Sequence, residues 1–116
     1  MSNPFLLFGV SVTAEIIAVA MMEVYATSSN VFHALLAGGA AFFAYGSFFA
    51  IQVQKVIDLQ FLYPIWSGAT TALSYLVGGM IHGKSLQELL TAPSAIWVLV
   101  TIIGIVGTLA TSGSAK

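Results

Sequence analysis

The sequence predicts an all-α integral membrane protein with four transmembrane helices, and two observations point to that fold class. The first is composition: 59% of the residues are hydrophobic and 6% charged, with a mean hydropathy of +1.00, against about 45–50% apolar and about 25% charged in ordinary soluble domains. The second is arrangement. The apolar residues fall into four segments near the roughly 20-residue length of a bilayer span, and most of the charges fall between them. Helices are predicted because a lipid-exposed backbone must satisfy its own hydrogen bonds, and the segments lack the short alternation of barrel strands. The 116 residues are expected to form a single domain. A formal net charge of -1 gives no reason to expect a nucleic-acid partner. Without cysteine there is no disulfide or thiolate metal site. A cleavable leader is not expected, since "MSNPF" has no basic residue before the apolar run and Glu15 interrupts it.

Each segment has its own justification. The first, 4–26, opens on Pro4, where a helix begins and a missing N–H costs nothing. "TSSN" separates it from the second, 32–53, and "QKVIDLQ" separates that from the third, 61–81. Pro64 is expected in the first turn of the third helix, marking an end and not a kink. After "HGKSLQELLTA" the fourth segment, 93–111, opens on Pro93. Links this short force neighbouring helices antiparallel. Orientation is read from basic residues in the short loops. There is no arginine, and Lys55 and Lys116 fall on one face with Lys84 on the other. So even a balance predicts insertion in both orientations. Four such helices cannot enclose a sizeable midplane cavity alone, so an oligomer is expected.

The candidate site begins with Glu15, about halfway along the first segment. A carboxylate at that depth costs roughly 2.5–3.5 kcal/mol on insertion scales and is expected to face protein or a water-filled path. At helical spacing its stripe reads Phe8, Ser11, Glu15, Ala18 and Met22. The alternative is a protonated glutamate bonded to another helix as glue. Glu23 lies about 12 Å further along the axis, where a solvated end charge is the simpler reading. On the third segment Tyr63, Ser67, Thr70 and Ser74 recur at helical spacing, flanked by Trp66 and Thr71. That face reads as a cavity lining or as interfacial anchoring. The second segment aligns Phe42, Tyr45, Phe49 and Gln52, by default a packing face. If these aromatic faces line a cavity, they would suit an organic cation, at about 0.5–2 kcal/mol per ring. On the fourth segment Gly104 and Gly107, with Thr108 and Thr111 each four residues beyond, form small-xxx-small registers for close helix packing. His33 and His82 are too far apart to argue for a metal site. No phosphate loop, nucleophile elbow or HExxH is present, so neither an enzyme nor a cofactor is expected.

With "AEII" around Glu15 and "LYPIWSG" over 62–68, the chain resembles the small multidrug resistance family of transporters over its whole layout. The resemblance implies an antiparallel dimer in the bacterial inner membrane whose two glutamates share one site, binding either protons or an organic cation and exposing it to each side in turn. By position Glu15 would be the shared carboxylate, and Tyr63 and Trp66 would line the site; the helix faces described above add Ser11, Ala18, Tyr45, Ser67 and Thr70 to the expected cavity lining. Gly104, Gly107 and Thr108 would serve dimer packing. The chain departs from the family's pattern in several places. Glu23 stands where a lysine is usual, "DLQ" where Pro-x-Gly is usual, and Gly68-Ala69-Thr70 keeps one of two glycines. Trp97 stands a heptad before Gly104, where a second glycine is common. Ala18 replaces the tryptophan of the guanidinium-exporting branch, which favours hydrophobic cations as substrate. Other expectations compatible with the residues are one subunit of a heterodimeric pair, a passive channel, and a non-transporting accessory subunit in which Glu15 is structural.

Overall fold

A computed structural model describes residues 3–112. Helix α1, Pro4–Ser28, starts where the Asn3 side chain accepts the Phe5 N–H at 2.8 Å and Pro4 occupies the first turn. It ends because Ser29 turns left-handed, φ 56°, and its N–H closes on the Tyr25 carbonyl at 2.7 Å. Asn30 then caps α2, Val31–Gln52, by accepting the Phe32 N–H at 2.9 Å. A turn with Lys55 at φ 58° leads to α3, Leu59–Ile81. Two more helices follow, α4 over Leu86–Thr91 and α5 over Ala95–Ser112. No strand occurs among the described residues.

The all-helical prediction holds, with three differences in detail. α3 begins at Leu59, because the Asp58 carbonyl accepts the N–H groups of Phe61 and Leu62 at 3.0 and 2.9 Å. Pro64 therefore lies inside the helix and not in its first turn, where its missing N–H leaves the Gln60 carbonyl without the usual helical donor. Hydropathy locates the apolar stretch from Phe61, whereas the helix begins earlier, at Leu59 after the Asp58 cap. α5 begins at Ala95, since Pro93 and Ser94 form a turn closed by the Ala95 N–H on the Ala92 carbonyl at 2.9 Å. The link between the third and fourth segments contains α4. Ser85 and Glu88 close a capping box around its start, with the Glu88 N–H donating to the Ser85 hydroxyl at 3.1 Å and the Ser85 N–H to the Glu88 carboxylate at 3.2 Å.

α1 and α2 are each long and apolar enough to cross a membrane. α5 is apolar over Ala95–Thr111, a shorter stretch, and α3 is long but mixes hydroxyls and rings into its apolar residues. The chain divides into two compact units, the first ending at Val56 and the second starting at Ile57. In the first, α1 packs on α2. The buried positions are mainly small, Ser11, Ala14 and Ala18 on α1 and Ala37, Ala44 and Ser47 on α2, which lets two backbones approach closely. In the second, α3 packs on α5 and α4 touches both. Ile105 covers Gly68 so closely that a Cβ there would overlap its side chain, and Leu89 covers Gly79 in the same way. The Tyr75 hydroxyl donates to the Leu89 carbonyl at 2.8 Å and lies 2.7 Å from the Ser94 hydroxyl, tying α3 to α4 and to the turn before α5.

Candidate functional site

In the first unit Glu15 has an unusual setting. Ser11 and Ala18, about 40° and 60° from it around the helix, are fully buried, and Val12 and Ala14 are buried too. Glu15 itself is only half-buried. Its side chain emerges from the most closely covered stretch of α1. Among the described residues it has no hydrogen-bond or ion-pair partner, whereas the neighbouring Ser11 hydroxyl donates across to the Ala44 carbonyl at 2.9 Å. Ser11 and Ala18, expected as cavity lining, thus sit among the packed positions of the hairpin, and Glu15 stands between them. Glu23 is half-buried, Phe8 likewise, and Met22 is exposed.

On α2 the aromatic face expected from helical spacing turns outward. Phe42 is 83% exposed, and Tyr45 and Phe49 are exposed with it, while Phe48 is the buried ring. Burial within the described chain therefore does not account for Phe42 or Phe49. An open apolar groove of about 480 Å³ runs along the first unit between Phe5, Gly9, Thr13, Ile17 and Phe43, and Glu15 is not among its lining residues.

On α3 the rings of Tyr63 and Trp66 lie 6.0 Å apart and tilted by 36°. Tyr63 is exposed, but Trp66 is 2% exposed. The hydroxyls expected on this face are turned inward to their own helix. Thr70 and Thr71 both donate to the Ser67 carbonyl, at 2.9 and 2.7 Å. Such bonds free a threonine from needing an outside partner and tend to bend the helix. Ser67 and Ser74 are half-buried. On α5, Gly104 and Gly107 are exposed with open space where a Cβ would stand, and Thr108 and Thr111 donate to the Gly104 and Gly107 carbonyls at 2.8 Å each. The expected packing face is therefore uncovered in the described chain. Lys116, used in the orientation reading, lies outside the described residues.

Tyr75 and the short helix it holds are not picked out by hydropathy or by helical spacing. A signal was available in "SLQE", residues 85–88, which has the Ser-x-x-Glu spacing of a capping box. Tyr75 also borders an apolar groove of about 610 Å³, with Leu76, Leu90, Pro93, Ile96 and Leu99. Among the described residues no group of three His, Cys, Asp or Glu side chains is placed to hold a metal ion. Comparison of the chain with family models, curated proteins and solved structures gives no match.

Proposed function

We propose that the chain is a proton-coupled exporter of small organic cations, working as an antiparallel dimer of four-span subunits in a bacterial inner membrane. The observation that carries this reading is Glu15: a carboxylate midway along a long apolar helix, half-accessible, without a protein partner among the described residues. A carboxylate used as glue is bonded to another helix; Glu15 makes no such bond among the described residues. At such depth an unpartnered acid is expensive unless something else engages it, and a proton or an organic cation serves in turn. The "AEII" and "LYPIWSG" stretches, which resemble those of the small multidrug resistance family, support the same chemistry.

The proposed mechanism is competition for one carboxylate. Protonated, Glu15 is neutral and releases a cation. Deprotonated, it attracts one. Carried over from the resemblance, the exposed Tyr63 would offer a ring to the cation's apolar body, whereas Trp66 is buried and is read as packing. Export follows if loaded and protonated forms, but not the empty charged form, change the side to which they open. No covalent chemistry is involved, and the protein acts as a carrier rather than an enzyme, with no cofactor. The test is uptake in liposomes by purified protein under an imposed proton gradient, screened with quaternary ammonium, guanidinium and polyamine cations. Proton-driven accumulation of at least one of these is expected. Uptake that equilibrates without accumulation would mean a passive channel, and no movement of cations or protons would mean an accessory subunit.

A further inference from the structure

We infer that Ser11 is a positioning residue for Glu15: its hydroxyl, bonded to the Ala44 carbonyl, fixes the rotation of α1 on α2 and so holds the Glu15 carboxylate at the open edge of the helix hairpin. The inference deepens the reading of Glu15 as the working carboxylate and rests on it for its functional consequence.

The packed positions of α1 and α2 are mainly alanine and serine. Val12, Phe48 and Ile51 are the larger buried side chains beside them; where alanine meets alanine, little side-chain interdigitation resists rotation or sliding. A directional contact between the two helices therefore carries weight. Ser11 supplies it, fully buried and 2.9 Å from a carbonyl in the middle of α2. Ser11 is one turn from Glu15 on nearly the same stripe, about 40° around the axis. A rotation that broke the serine bond would swing Glu15 through the same angle, either under the covered positions or out toward lipid. The half-burial of Glu15 amid buried neighbours is what the bonded rotation produces. Ser11 acts through the helix it pins, and Ala18, fully buried one turn on the other side, keeps the approach close without adding direction.

The sequence contains no cysteine, so Glu15→Cys creates a single reporter thiol. Its alkylation by a water-soluble maleimide is measured in liposomes with Ser11, Ser11→Ala or Ser11→Thr in the background. The expected result is a rate at least threefold lower with alanine, as position 15 leaves the water-reachable edge, and a rate restored by threonine, which keeps the hydroxyl. An unchanged rate in a folded Ser11→Ala protein would overturn the proposal. So would a rate lowered equally by alanine and threonine, which assigns the effect to packing volume. In the native Glu15 background, tetrabutylammonium affinity is expected to fall about three- to tenfold with Ser11→Ala and to recover with Ser11→Thr. If the Glu15 protein binds no tetrabutylammonium at all, the export reading loses support, while the alkylation rates still decide the role of Ser11.

Discussion

Glu15 and Trp66 show how the setting of one side chain separates roles that residue type leaves open. Both were identifiable from the sequence, Glu15 as a charge inside an apolar run and Trp66 as part of an aromatic face. What the sequence could not supply was the cover over each. Helical spacing gives angles around an axis, and the partner on each side depends on how helices pack. Hence Ser11 and Ala18, on the Glu15 stripe, prove to be packed positions, and Phe42 and Phe49, read by default as packing, prove exposed. Trp66 is buried, so Trp66→Ala is expected to destabilise the fold by about 3–5 kcal/mol, the usual range for removing a large buried ring. Thermal unfolding in detergent checks this, and unchanged stability would contradict the burial of the ring. Glu15→Asp keeps the acid on a shorter side chain and is expected to retain proton-driven uptake with a displaced pH dependence; complete loss would mean that carboxylate reach matters more than its chemistry.

At the scale of elements, the long helices were legible because their apolar stretches are long, and α4 was not because a six-residue helix leaves little periodicity to read. Its stability comes from local devices instead: the Ser85–Glu88 box, Leu89 seated over Gly79, and the Tyr75 hydroxyl on the Leu89 carbonyl. Tyr75→Phe removes this bond together with the one between the Tyr75 and Ser94 hydroxyls. The expected loss is about 1–3 kcal/mol, the net value of two hydrogen bonds, seen as faster backbone amide exchange over 86–91 with α3 unaffected. Equal protection in the variant would show that the hydroxyl does not hold α4. The α5 glycines make the opposite case. Nothing stands within 4 Å of a Cβ placed at Gly104, so Gly104→Leu is expected to leave the chain folded while abolishing self-association in detergent. A variant that still dimerises would show that this face is idle.

Few large side chains among the described residues are buried and many are exposed, among them Phe5, Phe42 and Trp97. Exposed apolar surface on that scale marks contact with lipid or other chains, and here it runs along helices with few charges. Low charge also leaves little to set orientation. Lys84, exposed in the turn before α4, provides the test: Lys84→Cys is expected to be labelled by a membrane-impermeant maleimide in part from each side of intact cells, whereas labelling from one side only would establish a fixed orientation. Proton-coupled export as proposed requires that proton and cation compete for Glu15. The most direct measurement is cation binding in detergent as a function of pH, for the Glu15 protein and for Glu15→Gln. Affinity is expected to rise with pH and level off, since only the charged carboxylate attracts a cation. Glu15→Gln is expected to remain folded and to show no pH-dependent binding. A pH-dependent affinity that survives unchanged in Glu15→Gln would place the proton site elsewhere, with Glu23 the next carboxylate along α1, and would contradict the mechanism.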